Sequence, residues 1–173
     1  MKQKCIFSIS DIDSGWFDMD FDINEKIINV TVSNLYNNDS PKELLVMLTD
    51  FLSAKNDVEY VLFDGEHDTS IVSLEKEILT VAYSTCGYVD RQNKGIYIDL
   101  RGNMTFDEVS NIIEIQNISF QIEIDVETFI LSVYKAFSKY ANNFVLYDKY
   151  EENWDYFPQK EWEAFKQYVK QKY

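Results

Sequence analysis

The residues best placed to do chemistry lie in two acidic stretches. In "WFDMDFDI", residues 16 to 23, Asp18, Asp20 and Asp22 alternate with Phe17, Met19, Phe21 and Ile23. Carboxylates in such a row suit four roles: a metal site, a catalytic site, a docking surface for a basic partner, or the wet side of a strand. An EF-hand calcium loop beginning at Asp18 needs Gly at its sixth position and Glu at its twelfth, where Ile23 and Asn29 stand. Alternate residues of an extended strand lie about 6.5 Å apart along the chain, too far for three aspartates of one strand to close on one ion unaided. Six acids without a base in residues 11 to 25 carry a self-repulsion that ordinary surfaces relieve by interspersing lysines. That leaves a solvent face or a docking face, and the uninterrupted charge favours docking.

The second stretch, residues 57 to 68, holds Asp57, Glu59, Asp64, Glu66 and Asp68 and again no lysine or arginine. Within it "DGEHD" contains the one histidine of the chain, His67. An imidazole between two carboxylates resembles a ligand set for zinc or iron, but consecutive residues of a hairpin turn point in different directions. Any acid-base or nucleophilic site that uses histidine must be built around this residue. No Gly-x-Ser-x-Gly elbow is present, Cys86 in "STCGY" has no recognisable catalytic context, and five glycines make a phosphate-cradling loop improbable. Paired carboxylates of the glycosidase kind stay open, since thirty acids offer many pairs and sequence gives no separations. The expectation is a protein with no catalytic residue, no metal and no cofactor.

The elements that position these acids follow from composition and periodicity. A chain of 173 residues fits one domain, 1–173, that buries roughly two thirds of its unfolded surface. Apolar residues at 46% and aromatics at 16% supply a core, so the charge does not signal disorder. The opening "MKQKCIFSISD" reaches an aspartate before any usable signal-peptide core, and no later run approaches a membrane span, which reads as soluble and cytoplasmic. Cys5 and Cys86 lie far apart without Cys-x-x-Cys spacing and read as packed thiols. A net charge of −14 disfavours nucleic acid and anionic lipid as partners.

Residues 16 to 23 and "KIINVTVSNLY" both alternate with period two and predict a hairpin turning at Asn24 and Glu25. "NNDSPKELLVMLTDFLSAK" predicts a helix with Ser40 as N-cap, Pro41 in the first turn, Glu43 completing a capping box, and Leu44, Leu45, Leu48, Phe51 and Leu52 buried. "VEYVLF", "TSIVSL" and "ILTVAYS" predict a meander, "GIYIDL" a further strand, and "ISFQIEI", residues 118 to 124, another. Asp125 predicts the cap of a helix over 126–141, and a last helix starts near Pro158. Between them "NNFVLYDKYEENWDYF" reads as irregular. Its Tyr147, Tyr150, Trp154, Tyr156 and Phe157, mixed with acids, suit either a basic partner surface or the pinning of the C-terminal helices. The fold class is α+β: a mostly antiparallel sheet of about six to eight strands with about three helices packed on one side.

The succession of a strand, a helix opened by "NDSPKELLVMLTDFL", the hairpin "VEYVLFDGEHD", a helix after "IEIDVETFI" and a closing "ENWDYFPQKEWEAF" resembles immunity proteins of bacterial polymorphic toxin and contact-dependent growth inhibition systems. The stretch from Trp154 to Pro158 and the helix after it carry the most specific part. The resemblance implies a non-enzymatic cytoplasmic protein that binds and neutralises a toxin domain; it carries over no catalytic or contact residue. Charge alone therefore selects the partner-binding candidates: Asp18, Asp20, Asp22, Asp57, Glu59, Asp64, Glu66 and Asp68. The expected partner is a basic, nuclease-like toxin domain. A regulatory or scaffold module without a toxin partner is the alternative, and a small carboxylate-dependent enzyme a third.

Overall fold

The computed structural model describes residues 2–35, 39–55, 58–95 and 105–173, with Val58 and Glu59 placed by their backbone alone. The described elements are β1 (Cys5–Asp13), β2 (Trp16–Ile23), β3 (Lys26–Ser33), α1 (Ser40–Leu52), β4 (Val58–Asp64), β5 (Thr69–Glu75), β6 (Ile78–Ser84), α2 (Tyr88–Asn93), α3 (Phe106–Ile112), β7 (Asn117–Glu123), α4 (Val126–Ala141), α5 (Phe144–Asn153) and α6 (Gln159–Lys172). The strands form two antiparallel sheets, β1-β2-β3 and β4-β5-β6-β7. A short parallel bridge between Gln3 and Ile124 joins them at one corner. There the Gln3 N–H donates to the Glu123 carbonyl at 2.9 Å and the Asp125 N–H to the Gln3 carbonyl at 2.8 Å.

The small sheet follows from its sequence. Phe17, Met19 and Phe21 of β2 are fully buried while the aspartates between them are not. Burying each large apolar side chain contributes about 1.5–3 kcal/mol. A slip of one residue would exchange that gain for three buried carboxylates, so the register is strongly fixed. Asn24 and Glu25 occupy the β2–β3 turn with φ of 52° and 70°, the left-handed pair of a tight hairpin turn. The β1–β2 turn uses Ser14 and Gly15; Gly15 has φ of +85°, and a Cβ there would stand 2.8 Å from Asn34 Oδ1.

One core unites both sheets with α1, α4, α5 and α6. Phe7 stacks on Phe137 and meets Phe21 edge to face, while Phe17 meets Tyr150 and Trp154 edge to face. The other face of the larger sheet carries a second cluster, in which Tyr60, Leu62 and Ile71 pack against Val109 and Ile113 from α3 and its end. The helices therefore do not all gather on one side. β5 is buried on both faces, which accounts for its nearly continuous apolar run.

Six helices stand among the described residues rather than about three. The additional ones are α2 and α3, of six and seven residues, and α5, which occupies the stretch read as irregular. Asn143 caps α5 by accepting the Leu146 N–H at 3.2 Å. Tyr150, Trp154 and Phe157 are buried, which favours the pinning role for that segment, whereas Tyr156 is exposed. The strand expected at "GIYIDL" lies outside the described residues apart from Gly95. No described helix is long and apolar enough to cross a membrane.

The cap of α1 is Asp39 rather than Ser40. Its Oδ1 accepts the Lys42 N–H at 3.2 Å and the Trp154 indole N–H at 3.4 Å. Ser40 turns inward toward the Leu62 carbonyl. Burial pushes the Asp39 carboxyl up to about 6, against the opposing effect of the N–H of Lys42. The folded state thus holds a proton that the unfolded chain releases near pH 4, and stability falls as pH rises from about 4 to about 6. Asp39→Asn keeps the acceptor and removes the charge. It should leave stability unchanged near pH 3.5 and raise it by about 1–3 kcal/mol at pH 7.5, as read by urea unfolding at both pH values; an equal effect at both would refute this account of the cap.

Candidate functional site

The outer face of the small sheet is built by rows of residues running across three strands. Ile6, Asp22 and Ile27 are directly opposite one another, then Ser8, Asp20 and Asn29, then Asp11, Asp18 and Thr31, and finally Asp13, Trp16 and Ser33. A bulge between Ile9 and Asp11 brings Asp11 into register with Asp18. The aspartates of β2 thus occupy the centre of a face whose inner side is the protein core. Ile27 is 61% exposed, Ile6 43% and Trp16 39%, so apolar surface flanks the acids at both ends.

Each aspartate is held by a neighbour. Asp22 accepts the Glu25 N–H at 2.9 Å and so fastens the turn, Asp20 accepts the Asn29 amide at 2.8 Å, and Asp18 accepts the Thr31 hydroxyl. These bonds use one oxygen of each carboxylate and fix its direction. The second oxygen has no partner among the described residues. Like charges directly opposite across strands are destabilising, and the Asp11–Asp18 pair is such a case. Lys149 of α5 relieves it, standing 3.0 Å from Asp11. Its ammonium hydrogen bond holds the Asp11 carboxyl below the usual range.

The second acidic stretch divides. Asp64 is 1% exposed and faces Arg91 of α2, itself 1% exposed, at 3.1 Å. Burial pushes the Arg91 guanidinium down, with Asp64 opposing. Asp64 also accepts the Glu66 N–H at 2.8 Å, so it organises the loop instead of facing a partner. Glu66 has φ of 74° and accepts the Ser33 hydroxyl at 2.7 Å, which places its carboxylate at the end of the row containing Trp16. Gly87 permits this turn: a Cβ there would come within 2.5 Å of the Glu66 carbonyl. Asp68 lies toward Tyr83, and burial raises its carboxyl while the Tyr83 hydrogen bond opposes. His67 is exposed.

Of the eight candidates the structure therefore gathers Asp18, Asp20, Asp22 and Glu66 around one sheet, buries Asp64, and turns Asp68 elsewhere. Asp57 lies outside the described residues, as does the side chain of Glu59, whose backbone pairs with Leu74. Sequence reasoning missed Ile6, Trp16 and Ile27. The available signal was that Ile6 and Ile27 break the polar side of their strands. Among the described residues no group of three His, Cys, Asp or Glu side chains stands close enough to share one ion. Both cysteines are free and buried, and burial pushes the Cys5 thiol up to about 12. The arrangement offers directed carboxylates beside exposed apolar side chains, which is chemistry for binding cationic side chains with long aliphatic stems.

The Asp64–Arg91 pair supports the loop that carries Glu66. Arg91→Met strands a buried carboxylate and should cost about 3–5 kcal/mol, whereas replacing both partners with apolar residues of similar size should cost much less. Thermal unfolding of the single and double variants checks this; equal losses would show that the pair itself does not matter. Compared with protein-family models, curated proteins and solved structures, the chain matches none of them.

Proposed function

We propose that this protein is an acidic, non-enzymatic immunity protein that binds and neutralises a basic bacterial toxin domain. The observation that carries the reading is the outer face of the small sheet, with Asp18, Asp20 and Asp22 half-exposed at its centre and Ile6, Trp16 and Ile27 exposed around them. An arginine or lysine side chain crossing this face lays its stem on an isoleucine and its charge on an aspartate. Trp16 adds a large, rigid ring of the kind enriched at binding hot spots. Net charge of −14 steers a basic partner toward the protein from a distance.

The acidic face supports a basic partner; that the partner is a toxin rests on the resemblance in the order of elements. A regulatory module with a basic client of another kind would use the same surface. The two readings separate by partner: the C-terminal domain encoded immediately upstream should bind tightly at low salt and more weakly as salt rises. Absence of binding at any salt would remove the immunity reading.

Changing Asp18, Asp20 and Asp22 together to Asn should slow association at least about tenfold at low ionic strength, since steering carries rates well above the unassisted range. The melting temperature should change little, because asparagine keeps an acceptor oxygen at each position. Stopped-flow association of the triple variant at two salt concentrations is the measurement, and an unchanged rate at low salt would exclude this face.

A further inference from the structure

The free edge of β1 and the side of α4 enclose a cleft of about 320 Å³, lined by Ile6, Ser8 and Ile9 on the strand and by Lys135, Ala136 and Lys139 on the helix, among others. Its charge is opposite to that of the protein around it. Lys135 and Lys139 are exposed and make no ion pair among the described residues. They stand four residues apart on one helix face, a like-charged arrangement that disfavours the helix. Neither has an acid three or four residues away along the chain, where Leu131, Ser132, Ala136, Ser138, Asn142 and Asn143 stand besides the two lysines themselves. In a chain with thirty acids against sixteen bases, two lysines that line one cleft without an acidic partner among the described residues are an exception that suits an anionic occupant.

The strand side supplies directional groups. The Phe7 N–H donates to Ser132 Oγ at 2.8 Å, so Phe7 presents its main-chain groups away from β2. By the two-residue period, the Phe7 carbonyl and the Ile9 N–H face the same edge. Neither has a hydrogen-bond partner across the cleft among the described residues. Elsewhere this edge is closed: Gln3 pairs with the end of β7, and Asp11 pairs with Lys149. The gap between these closures coincides with the cleft and its lysines.

We propose that this cleft docks an extended acidic segment of another protein, which pairs its backbone with β1 at Phe7 and Ile9 and sets its carboxylates against Lys135 and Lys139. Main-chain pairing supplies affinity and the lysines supply selection, as in strand addition to an open sheet edge. The gap is short, so ionic contacts carry much of the binding and salt weakens it. The site adjoins the aspartate face, with which it shares Ile6 and Ser8, but its occupant has the opposite charge and meets the lysines of α4 rather than the aspartates of β2.

The test titrates three blocked peptides into the 15N-labelled full-length protein: one alternating Val and Glu, one alternating Val and Lys, and the Val/Glu peptide with alternate amides N-methylated. The Val/Glu peptide should move the amide resonances of residues 6–9 and 132–140. The Val/Lys peptide should leave them in place, and N-methylation should weaken binding. Lys135→Glu with Lys139→Glu should weaken the Val/Glu peptide about tenfold or more, while the triple aspartate-to-asparagine variant should bind it undiminished. Failure of the aspartate face to bind a basic partner does not touch this outcome. No shift at millimolar peptide, equal binding of the Val/Lys peptide, or full binding by the charge-reversed variant would each overturn the proposal. Concentration-dependent shifts of the same resonances without peptide would also overturn it, by assigning the edge to a second copy of the chain.

Discussion

Everything about the small sheet depends on the alternation in β2. It is the central strand, so its inner side chains have neighbours on both flanks and a layer of helices beneath them. Phe17, Met19 and Phe21 have no exposure at all, and their burial fixes register, turn positions and the direction in which Asp18, Asp20 and Asp22 point. The acids are therefore carried on the central strand, paired on both sides. Groups on such a platform lose little freedom when a partner binds, which raises the return from each contact. Burial dictates that these positions face outward; it does not dictate that they be aspartate, and Thr, Lys or Ser would satisfy the strand equally well.

The treatment of charge differs between the two acidic stretches. On β2 the carboxylates stay half-exposed, each oriented by one neighbouring donor, and the like-charged pair Asp11–Asp18 is relieved from the rim by Lys149. At the end of β4, by contrast, Asp64 is withdrawn from water and compensated by Arg91. A buried pair of that kind is weak evidence for net stability, since desolvation offsets most of the attraction. What it does provide is a defined loop. Asp64 fixes the Glu66 N–H, Glu66 reaches Ser33, and the larger sheet is thereby coupled to the edge of the smaller one. An interior ion pair and a surface carboxylate thus act in series, two residues apart, with opposite exposures.

Periodicity made most of the strands and the long helices legible. The hairpin at Asn24 and Glu25, the meander from β4 to β6, and α4 over Val126–Ala141 all follow from apolar spacing and from turn or cap residues. Shorter helices were harder, because six or seven residues cover less than two turns and show no stripe. Even so, α3 carried a readable mark: Thr105 and Glu108 form a reciprocal capping box. α5 was obscured by aromatic residues, two of which, Trp154 and Phe157, are buried in the loop after it. Its low apolar content gave no clear face, although Asn143 is a sound cap. Among the acids, sequence located the stretches but could not separate Asp64 from Glu66. Their fates depend on Arg91 and Ser33, which are 27 and 33 residues away respectively, and on a left-handed turn that side-chain types do not announce.

The edges of the small sheet explain why its charge is distributed as it is. An open edge strand exposes unpaired main-chain groups and invites pairing with other chains. β1 meets that hazard with several local closures: a two-bond bridge to β7 at Gln3, the Ser132 hydroxyl on the Phe7 N–H, Lys149 on Asp11, and the Asn153 carbonyl accepting the Gly15 N–H. Three of these come from α4 and α5, so the same helices that cover the inner face also guard the edge. The broad outer face needs no such guard, because its main-chain groups are already paired within the sheet and only side chains are presented. An uninterrupted row of aspartates there repels other acidic chains, including further copies of this one, and admits basic surfaces. The face thus presents only side-chain charge, while the closures along the edge limit which backbone groups can be reached there.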